Sequence, residues 1–519
     1  MKKLRSIGLL LILVLLVSSM ISAKSIYPLK SDVTLTWWME LHSNVSQVVK
    51  NFGDTEFAKE LQKRTGVKIK FIHPASGSRA QVNEAFNLML ASGDLPDIIE
   101  YYWYDMPGGP NEAIKNGYIH KLNSIIDKYA PNLKAYLKKH PEYDKMVKTD
   151  EGSYYVFPFL RADPALVSTA GPIIRKDWLD ELGLQVPTTY DEWYTVLKAF
   201  KEKKGATVPL SIRYDNLNAM LAGGADNTGD FYQENGKVKY GPMEPSRKKF
   251  LETMNKWYKE GLLDNNFATN TSKIIDANIL TGKAGATYGS GGSGIGRYMA
   301  AMEKDPKFKL TGAPYPSPRK GQKARFANRS QYYGPNSNGS AAISTKCKNV
   351  ELAARVLDYA YSPEGHRFYN FGIEGVSYTM KNGKPIYTPL ITNNPQGLAM
   401  TQAMSHYMRS HCNGPFVQDK GYIEQYYNLP EQQEAAKVWP DNDWGKYMLP
   451  PITPTPEESR ELSRIMNDVN TYVQEMTMKF IMGVESLDKF DDYVAQLKKM
   501  GIERAIAINQ AALERYKKR

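Results

Sequence analysis

Three glycines, Gly289, Gly291 and Gly294, lie in the stretch KAGATYGSGGSGIGRYM (Lys283–Met299) with the spacing G-x-G-x-x-G. Between a strand and a helix, that spacing lets backbone amides cradle a pyrophosphate. A dinucleotide fingerprint belongs on the first strand of its unit and needs an acid about 20 residues further on. Here the stretch comes late in the chain, and the corresponding region, Lys307-Phe308-Lys309-Leu310, has no acid. What remains for the amides is close approach to a polar or anionic ligand at a helix N-terminus, with Ser290, Ser293 and Arg297 beside them. Arg161, Arg213, Arg297 and Arg329 all fall in segments expected at a cleft. A guanidinium fork fits a carboxylate with two parallel hydrogen bonds, which points to a uronate-bearing saccharide as one ligand to test.

With 34 Tyr, 17 Phe and 8 Trp, the chain is rich in flat faces that carry a polar edge. Sugars offer the complement, C–H faces and hydroxyl rims. Candidates come from strand-end loops, where parallel sheets bind ligands. They are Trp37, Glu40 and His42 at the end of TLTWWM, and Tyr101, Tyr102, Trp103 and Asp105 after DIIEY. Arg213, Tyr214 and Asp215 end VPLSIRY, Tyr332 and Tyr333 follow Arg329, and Glu374 and Tyr378 lie in GIEGVSY. Trp37 and Trp38 alternate on a strand, so one should be core and the other free to face the cleft.

Catalysis has little support. A glycoside hydrolase needs paired carboxylates. Glu40, Glu100, Asp105 and Glu374 are available, but their spacing defines no pair. No G-x-S-x-G, H-E-x-x-H or P-loop pattern occurs. No catalytic residue is assigned, and a secreted hydrolase or lyase is the alternative reading. No Cys/His cluster has zinc spacing, so neither metal nor cofactor is expected. Cys347 and Cys412 are either one disulfide or two buried small residues.

Lys2, Lys3 and Arg5, the apolar run Ile7–Val17 and the small residues up to Ala23 read as a secretory leader, residues 1–23. No cysteine adjoins that point, so the lipobox of a lipoprotein is missing. The mature chain is expected outside the cytoplasm, in a periplasm, secreted or at the cell surface. At 519 residues the chain calls for at least two domains. The net charge of +12 comes without a long Lys/Arg run, and nucleic acid is excluded as a partner for an exported protein.

The order of elements is α/β. Strand 34–39, helix 51–65, strand 67–73, helix 80–91 and strand 97–101 spell β-α-β-α-β, a parallel sheet covered by helices. A second unit starts near Gly171–Arg175, with strands at 208–214 and 284–288 and helices opening at Thr188-Thr189 and spanning 247–261. SAAIS (340–344) follows, then a long helix over 352–371.

These words in this order resemble the family 1 extracellular solute-binding proteins of ABC importers. The resemblance rests on TGVKIKF (65–71), SGDLPDIIE (92–100), IRKDWLDELGL (174–184), KWYKEGLLDNNF (256–267), GKAGATY (282–288), SPEGHRFYNFGIEGVSY (362–378) and MKFIMGVESLDKFDDYVAQLKKMG (478–501). It implies a two-lobe periplasmic-binding-protein-like fold of type II, with ligand in the cleft, crossing hinge segments and a helical C-terminal extension. On that reading residues 33–155 and about 270–312 form one lobe, and 160–268 with about 316–375 the other. Residues 380–519 pack on both, and YYVFPF (154–159) and GAPYP (312–316) are candidate hinge strands. The implied partners are an oligosaccharide and the permease subunits of an ABC transporter, with the receptor itself a monomer. Some members carry an EF-hand-like calcium loop where this chain reads KAFKEKKGATVPL (198–210), which lacks the Asp/Asn ladder a hard cation needs.

Overall fold

The computed structural model describes residues 26–74, 79–104, 106–328 and 339–519. The leader residues 1–23 and the candidates Asp105, Arg329, Tyr332 and Tyr333 lie outside the described residues. Two sheets, each with its own hydrophobic core, form two lobes.

In the first lobe Thr34–Trp38 runs parallel to both Lys68–Ile72 and Ile98–Glu100, and Ala341–Ile343 closes the edge antiparallel to Ile98–Glu100. The helix between the first two strands is Glu56–Thr65. The Thr55 hydroxyl accepts from the Ala58 amide at 3.1 Å, and Gly66 ends the helix at φ 72°, where a side chain would be strained. Residues Phe52–Asp54, expected as its first turn, form a separate 3-10 turn capped by Asn51. Helix Arg79–Ser92 makes the second crossover.

In the second lobe Ala170–Arg175 lies between Ala286–Ser290 and Leu310–Gly312, antiparallel to both. This pairing corrects the expected lobe membership. Strand 286–290 belongs with 170–175 in the second lobe, whereas 341–343 and the helix that follows pack in the first. VPLSIRY is not a strand: only Leu210 bridges, to Leu263 and Ala286. YYVFPF makes isolated bridges at Tyr154 and Phe157, and Pro158 has no amide to extend a ladder. The long helix expected over 352–371 is two, Val350–Tyr359 and Pro363–Phe371, because Ser362 caps a new start by accepting from the Gly365 amide at 3.0 Å.

The first crossing between lobes leaves the core along the strand Leu160–Arg161, parallel to Val417–Gln418. It continues through the short helix Pro164–Val167 into Ala170. A third cluster joins Leu166 of that helix to Phe371, Tyr378, Tyr387, Met404 and Tyr422. The chain beyond residue 380 is therefore no separate layer. Its helix Pro456–Met482 puts Val469, Val473, Met476 and Phe480 into the second core, where the helix Ile502–Lys517 joins it. Burying a side chain of this size contributes about 1.5–3 kcal/mol, so packing rather than intrinsic propensity holds these helices. Among the described residues no helix is long and apolar enough to cross a membrane.

Candidate functional site

The carboxyl ends of strands Thr34–Trp38 and Ile98–Glu100 open on a small cavity lined by Met39, Glu40, His42, Phe52, Glu100, Arg409 and Asn413 among others. Arg409 and Glu100 form a bidentate pair across it, with nitrogen–oxygen distances of 2.7 and 3.1 Å. Both side chains are almost wholly buried. His42 accepts from the Asn44 amide through Nδ1 at 3.1 Å, capping helix Ser43–Ser46, and its ring meets His411 edge-on. Burial lowers the pKa of His42 and takes that of His411 down to about 3, so both rings stay neutral. Burial also pushes the Cys412 thiol up to about 12, which keeps it protonated at neutral pH. Cys347 and Cys412 are both free and buried, which excludes the disulfide alternative. The Glu100 and Arg409 charges cancel each other, while Glu40, His42 and Asn413 present polar edges suited to hydroxyls.

Several expected contacts are core instead. Trp37 and Trp38 are both buried, at 1% and 5% exposure, because helices cover both faces of a parallel sheet. Tyr101 and Trp103 are buried against Phe86 of helix Arg79–Ser92, and the Tyr101 hydroxyl donates to Asn83 at 2.9 Å. Tyr102 and Tyr104, stacked on each other, stay half-exposed. Tyr378 is buried in the third cluster, while Glu374 is exposed.

Two arginines are already engaged. Arg213 forks onto Asp215 two residues away, at 2.8 and 3.1 Å. Arg297 forks onto Asp276 with two bonds of 2.7 Å, and the Tyr298 hydroxyl adds a third contact to the same carboxylate. Tyr214 is half-buried beside this face. Arg161 differs from both: its Nη1 is buried and unpartnered. Sequence reasoning passed over Arg409 and Asn413, since RSHCNG (409–414) carries no periodic or motif signal.

The glycine stretch also has a different purpose from the one expected. Gly291–Gly296 is a π-helical turn capped by Ser290, whose hydroxyl accepts from the Ser293 amide at 3.0 Å. A Cβ on Gly291 would lie 2.4 Å from the Tyr427 ring, and one on Gly292 would lie 2.2 Å from the Tyr426 hydroxyl. One on Gly296 would meet the Gln432 amide at 2.4 Å. Gly291, Gly292 and Gly296 admit the side chains of residues 426–432, and Gly289 and Gly294 lie against Ile173. Gly291→Ala should therefore cost about 1–3 kcal/mol, as overpacking does, in chemical denaturation. A variant as stable as the parent would contradict the packing assignment.

Comparison with known proteins bears on the whole arrangement. Residues 51–367 match the family model described as bacterial extracellular solute-binding protein. The fructooligosaccharide ABC transporter substrate-binding protein FusA of Streptococcus pneumoniae serotype 4 is 24% identical over 515 residues, covering 94% of this chain and 92% of that protein. The polygalacturonan/rhamnogalacturonan-binding protein YtcQ of Bacillus subtilis is 26% identical over 345 residues, 63% of this chain and 64% of that one. Among solved structures, the alginate-binding protein AlgQ2 without calcium ion superposes with a TM-score of 0.71 at 30% identity, covering 93% of this chain and 98% of that one. A family match over more than half the chain, on two α/β lobes whose parallel strand ends carry a polar cavity, places this protein among the bacterial extracellular solute-binding proteins.

Proposed function

We propose that this protein is the extracytoplasmic receptor of an ABC importer, which captures an oligosaccharide between its lobes and delivers it, as a monomer, to a membrane permease. The match to a transporter receptor along 94% of the chain carries the reading. Closure of two lobes about crossing segments is a hinge motion, and the closed form is the state a permease would recognise. The relatives' ligands range from fructooligosaccharide to polygalacturonan/rhamnogalacturonan and alginate, so the charge of this ligand depends on the chain's own residues.

Binding without turnover fits the carboxylates. Glu100 is locked to Arg409, Asp215 to Arg213 and Asp276 to Arg297, so none of the three stands ready as a general acid. A ligand that binds only the folded state raises the melting temperature. Thermal-shift screening of the mature protein against a neutral and acidic oligosaccharide panel should give an upward shift with at least one member. Chromatography after overnight incubation should return that saccharide at its original length. No shift with any saccharide would overturn the receptor reading, and shortened products would move it to the hydrolase or lyase alternative.

A further inference from the structure

Buried arginines in this protein are matched to their surroundings almost everywhere. Arg409 has Glu100, Arg175 has Asp177, and Arg519 has Asp150. Arg247, deep in the second core, donates to Asn218 and Thr477 and lies over the Phe250 ring. Arg247 and Arg409 leave only Nε without an acceptor, whereas Arg161 stands apart in making no hydrogen bond among the described residues. Its guanidinium lies 5.0 Å from the Phe159 ring, and Nη1 is shut off from solvent with no acceptor. The nearest acid in sequence, Asp163, is already used: it accepts from the Ala165 amide at 3.0 Å and faces Lys420 at 3.8 Å. With no carboxylate to compensate its burial, the pKa of Arg161 falls to about 10, so the group is still charged at neutral pH.

A buried cation left without an acceptor is costly, and native structures retain one only for a reason. Position supplies that reason here. Arg161 sits on the crossing strand, one residue beyond Leu160 of the first core and short of the second sheet at Ala170. That segment links the two lobes. The residue as a whole keeps partial exposure, although Nη1 itself is enclosed. A planar carboxylate would fill the empty acceptor position with two parallel bonds, which a neutral hydroxyl cannot.

Building on the receptor reading above, we propose that Arg161 is the anchor for the carboxylate of an acidic sugar residue, and that the ligand is a hexuronate-bearing oligosaccharide. Arg213 and Arg297 hold their own carboxylates and do not compete for this role.

The test is isothermal titration calorimetry with tri-uronates of galacturonate, mannuronate and guluronate, their methyl esters, and neutral trisaccharides. The esters keep shape and remove charge. The parent protein should bind one free acid about 100-fold more tightly than its ester, the scale of breaking a desolvated charge pair. Arg161→Gln should lose that preference, binding the free acid and its ester with similar affinity. Arg161→Lys, which keeps the charge but not the fork, should fall between them. The ligand-free melting temperature of Arg161→Gln should equal or exceed the parent's, since an uncompensated charge is removed; this confirms that the variant folds. Equal binding of acid and ester by the parent, or tight binding of a neutral trisaccharide alone, would overturn the uronate assignment and leave the receptor reading standing. An acid preference that survives in Arg161→Gln would overturn the role of Arg161. Failure of every saccharide in the panel would overturn both.

Discussion

Arg409→Leu should destabilise the protein by about 3–5 kcal/mol, the usual cost of removing one partner from a buried ion pair. Glu100 ends a central strand of the first sheet, has almost no exposure, and relies on Arg409 for two charge-assisted hydrogen bonds. Arg409 in turn sits in the loop after helix Met400–Tyr407, its amide bonded to the Tyr369 carbonyl at 2.9 Å. The pair thus ties a late segment of the chain to the strand ends that line the cavity. Burial raises the pKa of Glu100, and Arg409 works against that rise. Without Arg409 the folded-state pKa climbs further above the unfolded value of about 4.3. A carboxyl raised in this way binds more protons folded than unfolded. The stability it offers is fully present below the unfolded pKa and is lost as pH rises through the folded one. The deficit of Arg409→Leu should therefore be largest near pH 8 and shrink toward pH 5, as Glu100 takes up a proton. Urea denaturation of parent and variant at both values measures this. A loss below about 1 kcal/mol, or a gap that stays constant with pH, would show that the pair contributes little.

How much of this was legible in the sequence depended on whether the signal was local. The first β-α-β-α-β unit was readable because each boundary is set by its own residues: Thr55 as a cap, Gly66 as a left-handed stop, alternation in VKIKFIH. Lobe membership was not. The stretches at 284–290 and 340–344 are both short, small-residue strands, and nothing within either says which sheet it joins. That choice is made by pairing with Ala170–Arg175 or Ile98–Glu100, contacts remote in sequence. Alternation in TLTWW wrongly suggested one exposed tryptophan, because period two gives a solvent face only when one side of the sheet is bare. The arginine cluster was visible as composition but not as chemistry. Asp215 stands two residues from Arg213 and could have been weighed as its partner, whereas Asp276 reaches Arg297 only through the fold. The candidate site therefore narrowed to residues that spacing alone could not rank.

The second large effect lies at the far end of the chain. Helix Ile502–Lys517 is fastened to the second lobe along its length: Ile502 and Ala505 sit in that core, and Gln510 bonds the Gly236 carbonyl at 2.9 Å and the Val238 amide at 2.7 Å. Its end reaches back to the first lobe. Arg515 and Arg519 each meet Asp150 at 2.6 Å, and the Arg519 side chain has no solvent exposure. Asp150 lies just beyond Val147 of the first core, its amide bonded to Thr453 at 3.1 Å. One carboxylate thus holds two guanidinium groups that span the lobes. Asp150→Ala should cost about 3 kcal/mol or more, since it leaves Arg519 charged and enclosed. Arg519→Ala should cost less, about 1–2 kcal/mol, because Asp150 keeps Arg515 and water can enter at the vacated place. The order of the two losses separates a buried charge network from an ordinary surface pair, for which both losses would be small and similar. A double-mutant cycle on Asp150 and Arg519 should show coupling above about 0.5 kcal/mol, little changed by 0.5 M salt because the groups lie away from solvent. The amides of the last helical turn should also exchange faster in Asp150→Ala, as expected for a segment released from one lobe but still packed on the other. If Arg519→Ala proves the more costly change, or if salt erases the coupling, the terminal helix is held by its apolar face alone and the lobes are not bridged through Asp150.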